Sequence, residues 1–146
     1  MTEVEIRIAI ARAPEEVFAF ISDFEKNALW QDGVSKAWIT SEGPLGVGST
    51  YTQLSRFLGR DIEFHFVVTG FEAGRRVEFR TTSGTFPVEI VREVQPAAEG
   101  SLVHAVIKGE PGGIFKLAAP LLNRMTQRQI EGDYARLKEV LEAEDA

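Results

Sequence analysis

The sequence is 146 residues long, carries a formal net charge of −6 and contains no cysteine. A chain of this length suits one domain over residues 1–146, able to bury roughly 68–70% of the surface its unfolded form exposes. The acidic balance excludes nucleic acid or an anionic membrane as the main partner, and the lack of thiols excludes disulfides and thiolate zinc sites.

The N-terminal stretch MTEVEIRIAI has neither the basic nor the apolar region of a signal peptide, and no apolar run reaches the roughly 18 residues of a membrane span. A cytoplasmic protein without integral membrane association is expected. Residues 4–10 alternate strictly: Val4, Ile6, Ile8 and Ile10 share one face, while Glu5, Arg7 and Ala9 share the other. That is the pattern of a half-buried strand. Pro14 then opens a helix where a missing N–H is harmless, with Glu15 and Glu16 beside the positive end of its dipole. Val17, Phe18, Phe20 and Ile21 supply its apolar face, and it runs to about Ser22. Phe24 to Trp30 reads as a second short helix, ending before a turn at Asp32-Gly33.

Strand-like runs then occupy about 34–41, 49–57, 61–71, 76–82, 85–94 and 102–109, separated by the turn-rich GPLGVG, LGRD, EAGRR, TSG and QPAAEG. Connections this short imply an antiparallel meander, because parallel neighbours need crossovers of about a dozen residues or more. From about Gly113 to Glu142 the period becomes helical, with Pro120 kinking the helix or beginning a second segment. The order β-α-α-β₆-α fits an α+β arrangement in which a strongly curved sheet carries one long helix across its concave face.

Residue parity assigns the faces. Lys36 and Trp38 share one side of the second strand, which places Ser35, Ala37 and Ile39 on the concave side. Small residues there either leave space or admit a helix closely. The third strand groups Tyr51, Gln53, Ser55 and Phe57; the fourth groups Ile62, Phe64, Phe66 and Val68. Val77, Phe79 and Thr81 follow on the fifth, and Phe86, Val88, Ile90 and Val94 on the sixth. Arg92 has the same parity and either projects a cation into the interior or reaches solvent at the strand's rim. A filled core avoids such polar groups, whereas a cavity with a few polar fixtures is the usual form of a small-molecule site. On the long helix Ala118, Leu122, Met125 and Gln129 form a stripe with Gly132 close to it. The first half of the helix is expected to cover a cavity, and the second half to anchor through Ile130, Tyr134, Leu137 and Leu141.

The candidate cavity lining is therefore Trp30, Tyr51, Gln53, Phe64, Phe66, Phe79, Phe86, Ile90, Arg92, Leu122, Met125 and Gln129. No catalytic residue, metal or cofactor is assigned. His65 and His104 are the only histidines; His65 has solvent-facing parity and the face of His104 is ambiguous. No HExxH pair or GxSxG elbow occurs, and Gly46-Val47-Gly48 precedes a strand, where a dinucleotide fingerprint would precede a helix. Tyr51, Asp133 and His104 are the groups left for acid–base work.

APEEVFAFISDFEKNALW, GPLGVGSTYTQ, FLGRDIEF and LLNRMTQRQIEGDYARLKEVLE together resemble the SRPBCC, or START-like, superfamily, and within it the polyketide cyclase/dehydrase-like bacterial branch. The resemblance covers nearly the whole chain. It implies the helix-grip fold: a curved seven-stranded antiparallel sheet wrapped around a long C-terminal helix, with two short helices after the first strand and a hydrophobic cavity between. It also implies that Phe20, Phe24 and Trp30 lie on the short helices that close the open end of the sheet. The expected function is binding or carriage of a small hydrophobic molecule, such as a lipid, an isoprenoid or a polyketide. A cyclase or dehydratase using the same cavity is the alternative. The oligomeric state, monomer or homodimer, is left open.

Overall fold

The computed structural model describes residues 2–57, 59–83, 87–109 and 119–143; the side chains of residues 2, 57, 83 and 119–123 fall outside that description. Strand β1 (Thr2–Ile10) leads into helix α1 (Pro14–Ser22), a 3₁₀ turn (Phe24–Lys26) and the short helix α2 (Asn27–Trp30). Six strands follow: β2 (Val34–Ile39), β3 (Thr50–Phe57), β4 (Arg60–Glu72), β5 (Arg76–Ser83), β6 (Val88–Ala97) and β7 (Gly100–Gly109). Helix α3 (Ala119–Ala143) ends the described chain.

All seven strands form one antiparallel sheet in the order β1-β7-β6-β5-β4-β3-β2. The meander is as expected, and β1 closes it by pairing with β7 from Thr2↔Gly109 to Ile10↔Ser101. This is the helix-grip arrangement, a half-barrel with α3 against its concave side. Curvature has a local cause: the β4–β5 ladder is irregular at His65/Phe66, where Thr82 of β5 is the extra residue, and at Val68/Gly70, where Thr69 of β4 is, and β2 carries an irregularity between Val34 and Lys36. An extra residue in one strand bends it and adds twist.

The β2 irregularity corrects the reading of Ser35. Val34 pairs with Ser55 and Lys36 with Leu54, so Ser35 is the inserted residue and is exposed. Ala37 keeps its concave position opposite Gln53. β6 also runs farther than its sequence suggests, to Ala97. Pairing with β5 stops at Glu93, so Pro96 sits where β6 has β7 alone as a neighbour, and an absent N–H is tolerated at such an edge.

Helix α1 buries Val17, Phe18, Phe20 and Ile21, the face its apolar spacing marks out. Its last turn is loosened by Ser22 Oγ, which donates to the Phe18 carbonyl at 2.7 Å. The second half of α3 anchors as expected, burying Tyr134, Leu137 and Leu141. Truncating a core leucine such as Leu137 costs about 2–5 kcal/mol.

The C-terminal end of α3 is clamped to the β1–α1 connection. Arg12 Nε donates to the Leu141 carbonyl at 2.8 Å, and Lys138 Nζ to the Ala9 carbonyl at 2.8 Å. Ala11 N–H donates back to Glu142 Oε2 at 2.9 Å. Arg12 meets unpaired carbonyls at the helix C-terminus, and both cations lie near its negative dipole end.

Candidate functional site

The concave face is built on strand alternation. Tyr51 and Gln53 from β3, Phe64 and Phe66 from β4, Phe79 from β5 and Arg92 from β6 all point inward and are buried. The rings do not merely fill space. Phe24 stacks on Tyr51 at 4.2 Å between centroids, and Tyr51 stacks on Phe66 at 4.8 Å. Phe79 meets Tyr51 and Phe66 edge-on at 5.9 Å and 5.7 Å. Offset or edge-on aromatic pairs of this kind each add about 0.5–1.5 kcal/mol beyond their buried area.

Two polar constructions interrupt this aromatic wall. In the first, Asn27 Nδ2 donates to Gln53 Oε1 at 2.9 Å, and Gln53 Nε2 donates to Ser55 Oγ at 3.1 Å. The second centres on Arg92, which is 3% exposed. Its Nε donates to the Tyr134 hydroxyl at 2.9 Å and its Nη1 to the Ile21 carbonyl, at the end of α1, at 3.2 Å. The guanidinium carbon lies 5.0 Å from the ring centres of both Trp30 and Phe79, and 5.9 Å from that of Tyr134. No carboxylate forms an ion pair with Arg92 among the described residues. Its charge is carried by aromatic faces, a hydroxyl and a helix C-terminus, each a weaker partner than an anion. Three buried side-chain atoms have no hydrogen-bond partner among the described residues: Asn27 Oδ1, Trp30 Nε1 and Gln31 Nε2.

The electrostatics follow from burial. Burial pushes the Tyr51 hydroxyl well above the ordinary phenol range, although the Arg92 charge and the Asn27 amide draw it partly back. Asp133 on α3 is pushed up to about 6, first by burial. The N–H of Asp32, which Asp133 Oδ1 accepts at 2.9 Å, opposes that rise. His104 and His65 lie on the other side of the sheet: His104 Nε2 meets Glu5 Oε2 at 2.7 Å, and His65 Nδ1 meets Thr52 Oγ1 at 2.9 Å. His104 therefore cannot converge with Tyr51. Among the described residues no group of three or more His, Cys, Asp or Glu side chains could hold a metal ion.

The interior thus brings together Trp30, Tyr51, Gln53, Phe64, Phe66, Phe79 and Arg92. Ile90 is partly buried against the same core and borders, on the opposite side of the sheet, a depression of about 250 Å³ edged by Glu78, Arg80, Glu89 and Lys108. Phe86 and the Leu122 side chain lie outside the described residues. Met125 and Gln129 need correcting: Met125 is 48% exposed and Gln129 is exposed as well. The buried stripe of α3 passes through Asp133, Tyr134, Leu137 and Leu141, about a quarter-turn from the stripe through Met125. Gln129 instead reaches the Gly33 turn, where its Nε2 comes within 2.8 Å of the position a β-carbon would take. Gly132 has nothing within 4 Å of its would-be β-carbon, so it serves neither close packing nor an enclosed space. Trp30 is completely buried against Tyr134, with ring centres 5.0 Å apart.

Sequence reasoning missed Asn27 and the hydroxyl of Tyr134 as parts of the polar interior, and it named Asp133 only as a group for acid–base work. α2 has four residues, too few for a periodic signal. Tyr134 and Asp133 reveal their roles only through partners distant in sequence.

A family model described as Polyketide cyclase / dehydrase and lipid transport matches residues 1–142. Among solved structures, the chain is similar to TTHA0849 of Thermus thermophilus, with a TM-score of 0.85 at 20% identity over 99% of both chains. A START superfamily protein from Mycobacterium smegmatis gives 0.81 at 18% identity, over 98% of this chain and 99% of that one. The Zhui aromatase/cyclase from Streptomyces sp. R1128 gives 0.75 at 12% identity, over 94% and 91%. At these identities the likeness establishes the fold alone. No curated protein matches the chain.

Proposed function

The chain belongs to the polyketide cyclase / dehydrase and lipid transport family, and from that premise we propose that it binds or carries a small hydrophobic molecule in the interior between the concave sheet and α3. A lipid, an isoprenoid or a polyketide-like molecule fits this reading. The observation that carries it is the burial of Arg92, Gln53 and Asn27 among stacked aromatics, at 3%, 7% and 1% exposure. A compact core gains nothing from a buried guanidinium without an anion, since desolvation outweighs what weak partners return. An apolar wall with a few oriented polar groups is instead what a small-molecule site requires.

Tyr51, Phe64, Phe66 and Phe79 are assigned to the apolar wall, and Gln53, Trp30 and Arg92 to its polar end. Ile90 completes the wall on β6. The inner groups favour holding over turnover. Burial keeps the Tyr51 hydroxyl protonated, the Arg92 guanidinium offers donors and no acceptor, and Asp133 is engaged by the Asp32 N–H. Among the described residues that leaves no free base beside an acid.

Titration of the purified, natively folded protein with an uncharged, environment-sensitive dye is expected to saturate at one dye per chain. Native mass spectrometry of freshly purified protein is expected to show a retained hydrophobic mass. A folded protein that gives no saturable dye signal would sink the proposal.

A further inference from the structure

We propose that the polar end of the interior seats a hydroxyl group of the bound molecule (a phenol, an enol or an alcohol) between Asn27 Oδ1 and Trp30 Nε1. This rests on the interior being a ligand site and adds the chemistry that the site selects.

Asn27 and Trp30 are 1% and 0% exposed, and each carries one buried polar atom without a partner among the described residues. Asn27 gives one amide N–H to Gln53, and its amide also faces the Tyr51 hydroxyl, while Oδ1 is an acceptor with no donor. The Trp30 indole N–H is a donor with no acceptor. The two residues stand at either end of the four-residue helix α2, three positions apart. Side chains at that spacing leave the same face of a helix, with about 5–6 Å between β-carbons, which turns both orphan atoms toward one side of α2. Leaving either atom unpaired costs about 1–3 kcal/mol.

An orphan acceptor and an orphan donor on one side of a helix are together complementary only to a group that does both. A hydroxyl gives its proton to Asn27 Oδ1 and takes the Trp30 N–H on a lone pair. A carboxylate would satisfy Trp30 but repel the Asn27 oxygen, and a methylene would satisfy neither. Arg92 then grades the hydroxyls. Its guanidinium lies 5.0 Å from the centre of the Trp30 ring, so the oxygen bound there gains from partial negative charge. Phenols and enols are favoured over alkanols on that account. The neighbouring Phe24–Tyr51–Phe66 stack suits a flat apolar body.

The test is equilibrium binding of naphthalene, naphthol and naphthoate to the full chain, measured by calorimetry. Naphthol is expected to bind at least about tenfold tighter than naphthalene, with naphthoate no tighter than naphthalene. The advantage of naphthol is expected to fall below about threefold in Trp30→Phe and in Asn27→Leu, while naphthalene still binds. Equal binding of naphthol and naphthalene by the unaltered chain would overturn the inference and leave the two atoms to a buried water. Preference for naphthoate would overturn it in favour of an anion seat at Arg92. Failure of all three to bind would instead overturn the ligand-site reading beneath it. The unaltered chain decides the matter even if a variant does not fold.

Discussion

Asp133 Oδ1 on α3 accepts the main-chain N–H of Asp32 at 2.9 Å, tying the long helix to the turn before β2. Burial, with a smaller push from the Asp32 carboxylate, raises Asp133 from 3.8 to about 6 against the opposing pull of the Asp32 N–H, Arg136 and Arg92. The folded value lies above the unfolded one, so the folded state holds this proton more tightly. The penalty of burying the ionised form is therefore fully present above about 6, shrinks as pH falls toward 3.8 and vanishes below it. Asp133→Asn keeps an oxygen for the Asp32 N–H and removes the charge. The variant is expected to be more stable than the unaltered protein at about pH 8, with the gap closing between about pH 6 and pH 4. Urea unfolding across that range measures it, and a gap independent of pH would refute it.

The Tyr134 hydroxyl accepts from Arg92 Nε at 2.9 Å in a fully enclosed setting. Tyr134→Phe removes one oxygen and leaves a buried charged donor unpaired. A loss of about 1.5–3 kcal/mol in unfolding free energy is expected, the range for hydrogen bonds to charged groups. Conversion of the same residue to Leu costs more, since the ring also meets Trp30 edge-on at 5.0 Å. A Tyr134→Phe protein as stable as the original would show that Arg92 finds another partner.

The strands were legible because alternation has a period of two and one face is buried. Val4, Phe66, Phe79 and Arg92 all lie on the face that parity assigns. Parity fails at Ser35 for an equally physical reason: one inserted residue reverses every assignment on the far side of it. α3 was legible as a helix and at its anchored end, where Tyr134, Leu137 and Leu141 repeat at helical spacing. Its other half misled because helical spacing grouped Met125 with Leu122 and Gln129 on a stripe about a quarter-turn from the buried one, and spacing alone does not say which stripe faces the sheet. The polar interior was least legible. The Asn27–Gln53 bond spans 26 residues and the Arg92–Tyr134 bond 42, and no local pattern encodes such pairings.

Two glycines are expected to respond in opposite directions to alanine. Gly132 lies exposed within α3 with nothing within 4 Å of an added β-carbon. Gly132→Ala is expected to gain up to about 1 kcal/mol, the intrinsic difference between the two residues in a helix. Gly100 has φ +143° at the β6–β7 turn, and an added β-carbon would lie 2.6 Å from Arg12 N and 2.7 Å from the Ile10 carbonyl oxygen. Those are backbone atoms at the point where β1 gives way to α1, and they cannot step aside. Gly100→Ala is expected to lose several kcal/mol through this clash and the strained φ together. Thermal unfolding of both variants checks the pair; a stabilised Gly100→Ala would refute the turn geometry.

Removing His104 separates a site inside the sheet from one outside it. His104 pairs across the sheet with Arg7 and Glu93, and its ring meets Glu5 on the convex side. Its neighbours Val103 and Ala105 point the other way and are completely buried. A ligand in the interior is therefore screened from His104 by the thickness of the sheet itself. His104→Ala is expected to leave dye affinity within a factor of about ten, which corresponds to about 1.4 kcal/mol. The same titration on Phe66→Ala is expected to weaken binding, because that ring belongs to the stacked wall with Tyr51. Loss of binding in the histidine variant, with Phe66→Ala unaffected, would move the site to the convex face and remove the interior as its location.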